Sequence, residues 1–135
     1  MSINLKPEAI KAAHNAYSPY SRLKVGAALI SDAGNIYLGC NVENASFTIG
    51  ACAERAAITA AVLAEGREFQ LKAIAVVAFN EKGDSLPITP CGACRQALIE
   101  FGKEAEVGFL NADKEWMTVI AKDLLPYQFE FPTLD

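Results

Sequence analysis

Three of the four cysteines in this chain are bunched into two short segments, and each segment opens a predicted helix. They are Cys52 and, thirty-nine positions on, Cys91-Gly92-Ala93-Cys94 directly after Pro90. A Cys-x-x-Cys pair lets two thiolates converge on one ion, and the unpaired N–H groups of a helix start favour negative sulfur. Alone the pair is ambiguous, because it also marks thioredoxin-like redox sites. Two helix N-termini aimed at one point, supplying three thiolates from Cys52, Cys91 and Cys94, would bind zinc and leave its fourth tetrahedral position open. Structural zinc sites are filled by four protein ligands, so an open position is the mark of a catalytic one.

The compartment supports metal over disulfides. The opening residues, Met1-Ser2-Ile3-Asn4-Leu5-Lys6-Pro7, lack an apolar signal core, and no apolar run reaches membrane-spanning length. The chain is expected to be soluble and cytoplasmic, where clustered cysteines more often mean metal or catalysis. Its net charge of −4 excludes a basic stripe for a polyanion, which counts against nucleic acid and anionic membrane as partners. The two residues left over receive plain readings. Cys40 is expected to be a buried thiol at a strand end, and His14 a partly exposed residue of the first helix.

At 135 residues, 52% hydrophobic and without repeat or linker, the chain reads as one domain, 1–135. Pro7 begins a helical segment over 8–17. Strands are expected at 23–30 and 36–40, flanking Ser31-Asp32-Ala33-Gly34-Asn35 as a hairpin turn. Gly50 precedes a helix over 51–65 that Gly66 closes. The continuous apolar run 73–79 reads as a strand buried on both faces. A second long helix spans 91–101, followed by strands at 106–110 and 115–120 and a final turn at 123–126. Five strands alternating with helices predict an α/β fold: a three-layer α/β/α sandwich on a five-stranded mixed sheet. Residues 56–64 are apolar nearly all the way round, so that helix is expected to need cover beyond its sheet side, from a second subunit.

Glu54 lies two residues after Cys52, about 200° away around a regular helix. The two can face one site only if Cys52 is the half-in cap and Glu54 sits in the first turn. Glu54 would then approach a zinc-bound water without ligating the metal, where a carboxylate can shuttle protons. Arg55 follows directly. Zinc with three thiolates leaves a net charge of −1, which a nearby arginine would offset through charge-assisted hydrogen bonds to sulfur.

Cys52-Ala53-Glu54 followed by Pro90-Cys91-Gly92-Ala93-Cys94 matches the zinc deaminase signature. Nearly the whole chain resembles cytidine deaminase of the small homotetrameric type with an all-cysteine zinc site. The resemblance includes Tyr17-Ser18-Pro19-Tyr20-Ser21, Val25-Gly26-Ala27-Ala28-Leu29, Gly39-Cys40-Asn41-Val42-Glu43-Asn44-Ala45, Cys52-Ala53-Glu54-Arg55, the Pro90 to Gln96 segment and Leu124-Leu125-Pro126. It implies that Asn41 and Glu43 bind the ribose 3′-hydroxyl, that the Ala53 backbone meets the base carbonyl, and that the Thr89 carbonyl orients the exocyclic amine. It also implies that Phe129 reaches a neighbouring subunit's base site. Read physically without that resemblance, Asn41-Val42-Glu43-Asn44 is a solvated loop after a strand.

The resemblance implies hydrolytic deamination of cytidine and deoxycytidine to uridine and deoxyuridine in pyrimidine salvage, with zinc hydroxide attacking C4 and Glu54 carrying protons. Leu23 departs from the aromatic residue often found there in the family. Leucine keeps an apolar wall but gives up a ring face worth about 0.5–1.5 kcal/mol where a base stacks. A roomier pocket keeps open a related aminopyrimidine nucleoside as substrate, such as blasticidin S or an N4-modified cytidine. A rival from another class is a zinc-stabilised binding module, which predicts a closed four-ligand site.

Overall fold

A computed structural model describes residues 3–133. Its frame is one mixed sheet in the order β2-β1-β3-β5-β6, with β4 paired to β3 alone. The strands are β1 (Lys24–Ser31), β2 (Ile36–Cys40), β3 (Leu71–Phe79), β4 (Ser85–Leu86), β5 (Glu106–Leu110) and β6 (Trp116–Ile120). The helices are α1 (Lys6–Ala13), α2 (Ala53–Glu65) and α3 (Gly92–Phe101). Only β3 and β5 run parallel, with α3 in the crossover between them.

The period of two in β1 and β3 builds the three layers. Ala27, Leu29, Ile74 and Val76 join Ala57, Ile58 and Leu98 in the core under α2 and α3. The alternate residues Ala28, Ile30, Ala73, Ala75 and Val77 join Leu5, Ala9 and Ala13 under α1. The run 73–79 is therefore buried on both faces, as its unbroken apolarity predicts.

Two expectations are corrected. The sheet has six strands rather than five, because the chain turns back through residues 80–84 and lays Ser85 against Phe79 and Leu86 against Ala78. Two residues carry no readable period, so a strand of that length leaves no trace in the sequence. The first helix stops at Ala13 and not at Tyr17. The N–H of Tyr17 donates to the Asn41 carbonyl at 3.0 Å, and its own carbonyl accepts from Glu43 N–H at 2.8 Å. This pairing with the segment after β2 outweighs the helix propensity of residues 14–17.

Helix α2 ends where expected, at Glu65, because Gly66 takes φ +72°, a left-handed conformation that continues no helix. Its first turns lie directly on β2. A Cβ at Gly39 would run into the Ala53 carbonyl oxygen and the Ala57 nitrogen, so only glycine permits this approach. Among the described residues no helix is long and apolar enough to cross a membrane.

Candidate active site

Cys52 and Cys91 occupy the same structural position. Each is the N-cap of its helix, with extended backbone angles of −80°/152° and −67°/168°. Each gives its carbonyl to the first helical bond, from Ala56 at 3.0 Å and from Arg95 at 2.9 Å. Neither helix start has a full side-chain cap hydrogen bond, which leaves both sulfurs able to take a further partner. Cys94 sits in the first turn of α3, fully buried. The cap geometry that would let Cys52 and Glu54 face one site is the one adopted.

The three sulfurs lie within 4.8 Å of one another, and Cys52 Sγ is 4.0 Å from Cys91 Sγ. Tetrahedral zinc with Zn–S bonds of ~2.3 Å requires sulfurs about 3.8 Å apart, so the spacing fits the ion. It does not fit a disulfide, and all four cysteines are free. Charge makes the same case. Burial, together with the neighbouring Glu54 and Cys52, pushes the Cys94 thiol up; Cys91 is raised by burial but brought down overall by the Cys94 N–H, the Cys94 and Cys52 side chains and the Ala93 N–H acting together. Three thiolates beside a carboxylate need a cation among them.

Glu54 is 4% exposed, and that burial pushes its carboxyl above the usual carboxylate range. Arg55 donates from Nη2 to Cys52 Sγ at 3.3 Å. The bonds to the sulfurs of Cys52 and Cys94 hold its guanidinium above its ordinary value. The arginine is exposed, yet its guanidinium is tied to the clustered sulfurs.

A cavity of about 450 Å³ opens beside this cluster, at the carboxyl end of β3. Leu23, Asn41, Glu43, Ala53 and Thr89 all line it, with Cys52, Cys91, Glu54 and Arg55 at its base. Asn41 is already half engaged: Oδ1 accepts from Val25 N–H at 2.8 Å and Nδ2 donates to the Leu23 carbonyl at 2.9 Å. Glu43 accepts from the Ser21 hydroxyl and from the N–H groups of Tyr20 at 2.9 Å and Ser21 at 3.1 Å. The Ser21 hydroxyl is the largest of the influences that hold its carboxyl below the ordinary value.

Phe129 is not in this cavity; it is 68% exposed, edge-on to Phe131. His14 is exposed at the end of α1 and takes no part in the cluster. Cys40 is only half buried, since β2 is an edge strand and leaves its end partly open. Sequence reasoning missed Phe47 and Thr48, which wall the cavity from the short 3-10 turn Phe47–Ile49, and Ile88 opposite. The available signal was the pair of apolar residues Phe47 and Ile49 in an otherwise polar loop just before Gly50.

Residues 3–109 match the family model described as the cytidine and deoxycytidylate deaminase zinc-binding region. The chain is 50% identical over 94 residues to a cytidine deaminase of Sporosarcina psychrophila, an alignment covering 70% of this chain and 65% of that protein. It is 44% identical over 125 residues to the cytidine deaminase of Halalkalibacterium halodurans, covering 90% and 89% of the two. The crystal structure of cytidine deaminase from Burkholderia pseudomallei superposes with a TM-score of 0.79 at 47% identity, over 96% of this chain and 100% of that one.

Proposed function

The chain belongs to the cytidine and deoxycytidylate deaminase family, and we propose that it catalyses hydrolytic deamination of cytidine and deoxycytidine to uridine and deoxyuridine, releasing ammonia. The observation that carries this reading is Glu54, a carboxyl 4% exposed beside three convergent sulfurs at the base of a nucleoside-sized cavity.

Cys52, Cys91 and Cys94 would hold the zinc, which when bound would lower the pKa of a water toward ~7 and so supply a nucleophile at neutral pH. Glu54 takes a proton from the attacking water and delivers it to ring N3, which makes C4 electrophilic. The water oxygen bonds to C4. Glu54 then carries the remaining proton to the exocyclic amine, the C4–N bond breaks and ammonia leaves. The Thr89 carbonyl accepts from that amine, the Ala53 backbone N–H donates to the base carbonyl, and Leu23 packs against the ring. Arg55 offsets the excess negative charge of the three thiolates.

The sugar end follows from hydrogen-bond capacity. Asn41 has one N–H left over, and Glu43 has about one of its four lone-pair sites left. One donor and one acceptor are what a single hydroxyl needs. Glu43, Glu54 and Arg55 are the charged residues lining the cavity, an unfavourable setting for a nucleotide phosphate.

The domain spans 1–135, acts in the cytoplasm in pyrimidine salvage and assembles as a homotetramer with active sites near subunit interfaces. What supports assembly is the apolar surface left open in the single chain: Phe47 78% exposed, Leu63 88% and Phe129 68%. Leu63 is the uncovered side of α2, the helix whose composition calls for a second partner. Phe129 is the residue that, by the family resemblance, would reach a neighbour's base.

The test is Glu54→Gln with zinc content measured in parallel. Turnover of cytidine is expected to fall by about 10²–10⁴-fold with zinc retained. Near-normal turnover overturns the role of Glu54. Inertness of the native protein toward both cytidine and deoxycytidine, with turnover of blasticidin S or an N4-modified cytidine, would instead assign the substrate that Leu23 leaves room for.

A further inference from the structure

The start of α3 has a weakness that the start of α2 lacks. Cys91 is exposed, and the preceding Thr89 and Pro90 belong to no strand. Yet a zinc ligand must be held to within a few tenths of an ångström. The Pro90 ring is buried, and one side chain ties the backbone of this segment to the rest of the fold. The Arg95 Nε donates to the Pro90 carbonyl at 2.8 Å, and its backbone N–H donates to the next carbonyl, that of Cys91, at 2.9 Å. Its Nη1 donates to the Leu124 carbonyl at 2.9 Å, tying the same fork to the 3-10 turn Ala121–Leu124.

The neighbouring residue extends the tie. The Gln96 Nε2 donates to the Phe129 carbonyl at 3.0 Å, and its Oε1 accepts from Phe129 N–H at 3.2 Å. The first turn of α3 is therefore bolted to the C-terminal segment by two consecutive side chains directly after Cys94. Of the two, Arg95 alone reaches a peptide that flanks a zinc ligand.

Resting on the zinc reading above, we propose that Arg95 is a positioning residue for the metal: by fixing the Pro90 carbonyl against the Leu124 turn, it holds Cys91 in ligating geometry. It touches neither the sulfur nor the cavity, and it acts through the backbone. A planar fork with donors in two directions is what the task needs, and lysine, a point donor on a flexible stem, cannot span both carbonyls.

The experiment is zinc transfer from the purified holoenzyme to a chromogenic chelator, followed well below the melting temperature. Arg95→Lys is expected to release zinc about tenfold faster than the native chain, the low end of what loss of an outer-shell partner costs. Arg95→Gln keeps part of the stem but a single donor arm, and serves as the second variant where lysine fails to fold; the same acceleration is expected. Leu5→Ala, in the core under α1 on the far side of the sheet, is the control for general destabilisation and is expected to release zinc at the native rate. Native release from the folded Arg95 variant, or equal acceleration by Leu5→Ala, overturns the proposal. A native chain that binds no zinc would bring down the metal reading itself, a separate result from native zinc content with unaltered release.

Discussion

The two helices that deliver the thiols enter the site alike and are held there by different physics. At the start of α2, Ala53 and Ala57 are fully buried, and the helix backbone lies against Gly39 of β2 with no side chain between. At the start of α3, Cys91 is exposed, and beside the buried Pro90 ring and Cys94 the Pro90 carbonyl is gripped by the Arg95 fork. Close packing tolerates no displacement without a clash or a void. A hydrogen-bonded fork holds direction and distance but can open at modest cost. The helix carrying both a ligand and the proton carrier is the one fixed by packing, which suits chemistry that fails when a general base shifts by an ångström.

The largest effect is expected where packing does the holding. Gly39→Val would drive two methyl groups into the Ala53 carbonyl and the Ala57 amide, so α2 must lift from the sheet. Overpacking of this kind costs about 3 kcal/mol or more where backbone is the obstacle. Cys52 and Glu54 would move with the helix, so zinc per chain and turnover should fall together with thermal stability. A variant with native zinc content would show that the Arg55 and Cys52 contacts, rather than the approach at Gly39, position this ligand.

The far end of α2 carries a smaller, pH-dependent contribution. Glu65 Oε2 accepts from Ser31 Oγ at 2.7 Å, Asn35 Nδ2 at 2.9 Å and Tyr37 Oη at 2.8 Å, tying the last turn to the β1–β2 hairpin. These donors, Asn35 foremost, hold its carboxyl below the ordinary value of 4.5. A carboxyl depressed in the folded state stabilises above its unfolded pKa, and that stability is lost as pH falls through the folded value. Glu65→Gln should therefore melt lower than the native chain at pH 7, and the gap should close as pH drops below about 4.5. Melting curves across that range check it. A gap that stays constant would mean that the three donors respond to shape and not to charge.

The same contrast explains what could be read from the sequence. The Cys52-x-Glu54 and Pro90-Cys91-x-x-Cys94 segments are legible because ligands and proton carrier are set by local spacing at helix starts, and Gly50 and Pro90 mark those starts. The sheet is legible where an apolar run of strand length is clear, as in β1 and β3, but not at Ser85 and Leu86. The role of Arg95 leaves no local mark, since its second carbonyl belongs to Leu124, twenty-nine residues on. Asn41 shows the same limit. Its motif suggests sugar binding, but half its amide is spent on the backbone of Leu23 and Val25, a tertiary use that no spacing reveals.

The smallest expected effect isolates the cluster from the cysteine nearest to it in the fold. Cys40 follows Gly39 at the end of β2, so it lies beside the point where α2 meets the sheet, yet its sulfur is not among the three that converge. Its thiol is half buried, so Cys40→Ala forfeits part of a small apolar contact, about 1 kcal/mol or less. Proximity to the α2 anchor is thereby separated from membership of the metal site. One zinc per chain and native turnover are expected to persist, with a slight drop in melting temperature. A fall in zinc content would mean that β2 relays small changes at its end into Cys52, making the packed helix start as sensitive to its neighbours as the latched one.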